Sequence, residues 1–126
     1  MCKLLVVDDD EMMRLCVATI LSTQGYEVLE AKDGVEALLM FQTMRGEIPL
    51  IVMDVMMPRM DGITATRAIK ESDPSTKIIL MSGHSENDPA QSQADAFLAK
   101  PFLSKELMAV IDRLLQEDHP IHRAAG

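Results

Sequence analysis

Leu50-Ile51-Val52-Met53-Asp54-Val55-Met56-Met57-Pro58 places a carboxylate at the end of an apolar run, with a proline four residues further on. Four consecutive aliphatic residues predict a short strand buried on both faces, as in a parallel sheet. An ionised carboxylate at the end of such a strand loses hydration, which costs free energy unless something there uses its charge. The same design recurs along the chain. Leu4-Leu5-Val6-Val7 leads into Asp8-Asp9-Asp10, Ile78-Ile79-Leu80-Met81 into Ser82, and Phe97-Leu98-Ala99 into Lys100-Pro101. In open α/β sheets the carboxyl ends of the strands form the ligand-binding edge. Three acids, a hydroxyl and a lysine ending their own strands are the parts of a magnesium-assisted phosphoryl acceptor.

Helical patterns fill the intervals between these runs. Met13, Val17, Ile20 and Leu21 share one face of a helix predicted over Glu11–Thr23, with Gly25 as its stop. Lys3–Val7 and Glu27–Ala31 read as the first two strands. Asp33-Gly34-Val35-Glu36 has the form of a capping box ahead of a helix carrying Ala37, Leu38, Phe41 and Met44. Leu50–Met53 is the third strand, and a helix bearing Ile63 and Ile69 follows over Gly62–Glu71. Strands at Lys77–Met81 and Ala96–Ala99 precede a last helix, capped by Ser104, with Leu107, Ile111, Leu114 and Leu115 at helical spacing. The polar stretch from Gly83 to Ala96 breaks the rhythm and predicts only a shortened or irregular fourth helix. This alternation specifies an α/β fold, a doubly wound five-stranded parallel sheet with helices on both faces. Right-handed crossovers bring all the strand ends to one edge.

A chain of 126 residues, 48% hydrophobic and 25% charged, suggests a single globular domain. We assign residues 1–118 to it and residues 119–126, with His119 and His122, to a tail or linker remnant. With no Trp, one Tyr and three Phe the core must be aliphatic, and eleven Met serve as adaptable filling. The net charge of −8 argues against nucleic acid and anionic membranes as partners, since both attract clustered Lys and Arg. No apolar stretch approaches a membrane span and no targeting signal is visible. Cys2 and Cys16 lack partners at metal-ligand spacing. A reduced, cytoplasmic setting is the simpler reading and a disulfide between them the alternative.

Capping explains one of the first-loop acids, for which Asp10 is the best candidate. It does not explain Asp8 and Asp9 facing Asp54. Clustered carboxylates repel, and an all-oxygen cluster suits Mg²⁺, with Mn²⁺ able to substitute. Lys100 can pair with Asp54 at rest and with a phosphoryl oxygen afterwards. Ser82 alone reads as a turn former, and gains its meaning from this company.

The ordered set resembles the receiver domain of two-component response regulators, of the chemotaxis-regulator type, from about Lys3 to Leu115. The similarity lies in Val6-Val7-Asp8-Asp9-Asp10, Arg14, Gly25-Tyr26-Glu27-Val28, Ala31-Lys32-Asp33-Gly34-Val35-Glu36-Ala37-Leu38, Asp54-Val55-Met56-Met57-Pro58, Met60-Asp61-Gly62, Met81-Ser82-Gly83 and Lys100-Pro101-Phe102. It implies a flavodoxin-like strand order 2-1-3-4-5. It also implies that Asp54 accepts a phosphoryl group from the phosphohistidine of a histidine kinase or phosphotransfer domain. Asp9, Asp54 and the Met56 carbonyl would ligate Mg²⁺, with Asp8 acting through water. Ser82 and Lys100 would contact the phosphoryl group, and Phe97 would be the switch aromatic, its other reading being a plain core residue. Met56 and His84 occupy rim positions that tune hydrolysis, although His84 reads equally well as a solvated loop histidine. Such a domain catalyses only its own phosphorylation and dephosphorylation and acts on a downstream protein target.

Three other readings compete. A haloacid-dehalogenase-type phosphatase also uses an aspartate nucleophile, but needs an acid two residues later, where Met56 stands, and an earlier nucleophile. A flavin binder of the same topology would meet phosphate repulsion from Asp8-Asp9-Asp10. A purely structural interaction module would ordinarily lack one of the five residues, and none is missing. A single-domain regulator and a receiver excised from a hybrid kinase or a longer regulator both stay open.

Overall fold

The computed structural model describes residues 3–83 and 92–118. Five strands, β1 (Lys3–Val7), β2 (Glu27–Ala31), β3 (Leu50–Asp54), β4 (Lys77–Ser82) and β5 (Ala96–Ala99), form one sheet in the order β2-β1-β3-β4-β5. Every neighbouring pair is parallel. Among the described residues the helices are α1 (Glu11–Thr23), α2 (Gly34–Thr43), α3 (Gly62–Ser72) and α4 (Ser104–Asp118).

Side-chain alternation divides the central strands between two cores. Leu5, Val7, Ile51, Met53, Ile78 and Leu80 face α2 and α3, where Ala37, Phe41, Ala65 and Ile69 meet them. Leu4, Val6, Leu50, Val52, Ile79 and Met81 face α1 and α4, packing on Val17, Leu21, Leu107, Ile111 and Leu114. Each fully buried aliphatic side chain contributes about 2 kcal/mol, so the six inner positions on each face make the sheet centre the most resistant part of the fold. β2 is one of the two sheet edges, and the exposed Glu27 and Glu30 along it discourage pairing with another strand.

The helix starts follow local chemistry. Asp10 Oδ1 accepts the Met12 N–H at 3.1 Å and caps α1. Asp33 Oδ1 accepts the Glu36 N–H at 2.9 Å, while Glu36 reaches back to the Lys32 N–H at 3.1 Å, not to the Asp33 N–H. Gly25, at φ +95°, carries the chain out of α1 in a conformation disfavoured for residues with a Cβ. Ser104 lies inside the first turn of α4 and is not its cap; the Leu103 N–H is held instead by Glu106 Oε1 at 2.7 Å.

Two strands run one residue beyond expectation. The Val55 N–H donates to the Met81 carbonyl at 2.9 Å and the Lys100 N–H to the Ser82 carbonyl at 2.8 Å, so the ladder takes in Asp54 and Ser82. α3 likewise continues to Ser72. Most methionines pack as filling, although Met12 and Met56 are 77% and 59% exposed. The expected irregular helix between β4 and β5 falls largely on residues 84–91, and the expected tail on residues 119–126. Both lie outside the described residues.

Candidate functional site

Strand register assembles the site. Val7 pairs with Met53 and Asp54 with Met81, so Asp8 leaves β1 level with Asp54, while Ser82, paired with Ala99, sits one step further along. Lys100 directly follows Ala99, and its bond to Pro101 is cis. Carboxylate oxygens of Asp8, Asp9 and Asp54 all lie within 4.8 Å of one another. Asp8 and Asp54 are buried and Asp9 is exposed.

Lys100 holds this cluster together. Its Nζ lies 3.2 Å from Asp54 Oδ1 and 3.3 Å from Asp8 Oδ2. Burial pushes the Asp54 carboxyl above its ordinary range and Asp8 adds to the rise, against the opposing pull of Lys100. Burial acts to lower the Lys100 ammonium, but the two carboxylates outweigh it and leave it raised. Asp8 is fully engaged, because its Oδ1 also accepts the Asp10 N–H at 2.9 Å. The Arg14 guanidinium supports the same loop, donating to the Asp8 carbonyl at 2.9 Å and to Glu30 Oε1 at 3.0 Å. Asp9 is the exposed member of the cluster, and among the described residues no hydrogen bond or ion pair engages its carboxylate. Three hard oxygen donors this close together fit Mg²⁺.

The loop after Asp54 is pressed against its surroundings. A Cβ on Gly62 would collide with the Asp54 carbonyl oxygen, and the Gly62 N–H donates to the Val55 carbonyl at 2.9 Å. A Cβ on Gly34 would come within 2.5 Å of the Met60 carbonyl oxygen. Arg59, at φ +66°, donates to Asp33 Oδ2 from Nε at 3.0 Å and from Nη2 at 2.6 Å. Sequence reasoning did not connect Arg59, Gly34 or Gly62 to the site. The one available signal was their position inside or beside the Asp33-Gly34 and Met60-Asp61-Gly62 segments.

Ser82 is buried at the strand end beside Asp54. Phe97 is half-buried and packs on the core shared with α2 and α3. The exposed Met56 side chain stands two residues beyond Asp54. His84 lies outside the described residues. Cys16 is an exposed free thiol, while Cys2 is not described.

Comparison with known proteins agrees with this geometry. A family model described as "Response regulator receiver domain" matches residues 4–112. The sensor kinase CckA of Brucella abortus is 38% identical over 117 residues, 90% of this chain, which therefore spans only 12% of that kinase. The chemotaxis protein CheY of Bacillus subtilis is 35% identical over 118 residues, covering 90% of this chain and 97% of that protein. The structure of response regulator TrrA from Thermotoga maritima, in complex with Mg²⁺-BeF, superposes with a TM-score of 0.83 at 32% identity, over 90% of this chain and 99% of that one.

Proposed function

The chain belongs to the response regulator receiver family, and we propose that Asp54 is the residue through which it receives its phosphoryl group. As a member of that family it is a signalling phosphoacceptor of the two-component phosphorelay. The observation that carries the assignment to Asp54 is its position. Of the three clustered acids it is the buried one that lies within a strand, at the carboxyl end of β3, with its Oδ1 3.2 Å from Lys100. Asp8 already accepts the Asp10 N–H, and Asp9 is exposed.

In this reading an Asp54 oxygen attacks phosphorus in line with the donor nitrogen. The O–P bond forms as the P–N bond breaks, and the electron pair returns to the imidazole of a histidine kinase or phosphotransfer domain. Lys100 then exchanges its contact with Asp54 for a phosphoryl oxygen, and the Ser82 hydroxyl donates to another. Phe97 moves further inward as Ser82 shifts. Asp9, Asp54 and the Met56 carbonyl would hold Mg²⁺ with Asp8 behind a water, and Mn²⁺ would substitute. When bound, the metal offsets the charge on the transferring group. The domain turns over no external substrate beyond its own phosphorylation and dephosphorylation.

The receiver occupies residues 1–118 in this proposal, with 119–126 as a tail or linker. The charge of −8 supports a protein partner over nucleic acid or an anionic membrane, and the exposed free thiol of Cys16 suits the reducing cytoplasm. No described helix is long and apolar enough to cross a membrane. The phosphatase reading is not favoured, because its second acid would stand where an exposed methionine side chain is found.

Incubation with acetyl phosphate and Mg²⁺, read by intact mass, tests the assignment. One added phosphoryl group is expected for the wild type and none for Asp54→Asn. Equal labelling of the Asn variant would place the acceptor elsewhere.

A further inference from the structure

Arg59 combines two features that the phosphotransfer reading leaves unused. Its backbone is at φ +66°, a conformation strained for any residue with a Cβ, and its guanidinium grips a carboxylate 26 positions away. Strain of that kind persists only where the surroundings over-determine it. Here they do. The Asp33 side chain is 4% exposed, while Arg59 itself is 57% exposed. Asp33 is fixed independently, because its Oδ1 caps α2 through the Glu36 N–H. Arg59 therefore reaches from the loop to an anchor that cannot move without unravelling the start of α2.

The loop is fastened at several points: Met57 and Met60 pack against the core, and the Met60 N–H donates to the Pro58 carbonyl at 2.7 Å, closing a turn around Arg59. Val55 is held by its bond to Met81, and Gly62 by its bond to Val55. Met60 rests on the first turn of α2, with no room for a side chain at Gly34. The Arg59 side chain adds a charged attachment to Asp33 from the middle of that turn, directly after Met56-Met57-Pro58. It also shares an open groove of about 430 Å³ with Asp9, Lys32, Asp33 and Pro58, which places it beside the acidic edge.

We infer that Arg59 is a positioning residue for the cation site: through Asp33 it holds the 55–61 loop, and with it the Met56 backbone, against the acidic cluster. The inference rests on the reading that Asp9, Asp54 and Met56 hold Mg²⁺. It makes a prediction opposite in sign to that of charge alone. A guanidinium near three carboxylates repels a divalent cation, so a purely electrostatic Arg59 would tighten Mg²⁺ binding when removed. A positioning Arg59 would weaken it. A residue serving only stability would leave the affinity of the folded protein unchanged.

The test is a Mg²⁺ titration of the folded protein, followed by backbone amide shifts near Asp9, Asp54 and Met56. Arg59→Gly suits the backbone, because glycine adopts φ +66° without strain. Arg59→Met keeps the side-chain bulk without the charge. Both should raise the Mg²⁺ Kd about ten-fold, the low end of what loss of a group behind a metal ligand causes. Arg59→Lys should recover part of the loss, since an ammonium can pair with Asp33 but cannot form the two-pronged contact. A Kd unchanged or lowered in the Gly or Met variant, with a dispersed spectrum showing that it is folded, overturns the inference alone. A wild type without Mg²⁺-dependent shifts at Asp9 and Asp54 overturns the metal site and this inference together.

Discussion

Lys100 Nζ sits 3.2 Å from Asp54 Oδ1, so the buried carboxylate we assign as acceptor is held by the cation that would later neutralise its phosphoryl group. The pairing is incomplete as compensation. Lys100 also serves Asp8 at 3.3 Å, and two neighbouring carboxylates share one ammonium. A buried ion pair with a surplus like charge is weak support for a fold, because desolvation and repulsion offset the attraction.

Replacing Asp54 by Asn should therefore stabilise the metal-free protein even as it abolishes phosphorylation. The amide removes the charge that burial and Asp8 disfavour, and Lys100 keeps Asp8 as its partner. We expect a gain of about 1 kcal/mol, or roughly 3–5 °C in melting temperature for a domain of this size. Calorimetry in EDTA measures it. A lower melting temperature would mean that the Lys100 contact outweighs the cost of burying Asp54.

The aliphatic runs made the sheet legible because each is long enough for a strand and too short for a helix. Strict alternation then assigns Leu4 and Val6 to one core and Leu5 and Val7 to the other. Strand ends were harder to read. Asp54 and Ser82 join the ladder through backbone bonds made by residues that follow or face them, and side-chain patterns carry no trace of those bonds. The acids, Ser82 and Lys100 were legible since each ends an apolar run. The Arg59–Asp33 pair was not, because it depends on a left-handed turn and on how α2 lies beside the β3–α3 loop.

Mg²⁺ should raise the melting temperature by binding only the folded form. Asp9 and Asp8 should differ in how much of that rise they carry. Asp8 already receives the Asp10 N–H and the Lys100 ammonium, whereas the exposed Asp9 carboxylate is available. Asp9→Ala should abolish most of the Mg²⁺-induced rise and Asp8→Ala less of it. Equal losses, read by thermal melts with and without millimolar Mg²⁺, would contradict this division.

Acid should weaken the fold through Asp33. Burial pushes its carboxyl up, but the Glu36 N–H and the Arg59 guanidinium outweigh burial and leave it below the ordinary range. A carboxyl depressed in the folded state contributes stability above its unfolded value, about pH 4, and loses it as pH falls through the folded value. Asn also caps helices, so Asp33→Asn loses mainly the partner of a half-exposed Arg59. The cost should be about 1 kcal/mol at neutral pH and shrink toward zero in strong acid. Melting curves of both proteins across the acid range check it, and a gap that does not narrow would rule out this role for Asp33.

Loss of phosphate should be slow, and Met56 is the reason we assign. Its side chain is 59% exposed two residues beyond Asp54, where an apolar thioether neither orients a water nor accepts its proton. Met56→Asn would place an amide there, and should speed dephosphorylation several-fold. Decay of the phosphorylated mass after removal of the donor gives the rate. A variant no faster than wild type would remove Met56 as the cause.

Gly62 offers the most direct test of how tightly the acceptor strand is packed. A Cβ at this position would overlap the Asp54 carbonyl oxygen and lie 3.0 Å from Val55 Cα, and both contacts are with backbone. Neither neighbour can rotate away as a side chain would. Gly62→Ala must then shift the start of α3 away from β3, stretching the Gly62–Val55 hydrogen bond and displacing the end of the acceptor strand. Strain and overpacking of this kind cost about 1–3 kcal/mol. Ala propensity in the helix would otherwise stabilise by about 1 kcal/mol, so the sign of the change separates the two effects. We expect a lower melting temperature together with slower phosphorylation by acetyl phosphate, because the strain falls on Asp54 itself. A more stable variant phosphorylated at the wild-type rate would show that the helix start yields freely and that Gly62 is not needed to seat the acceptor.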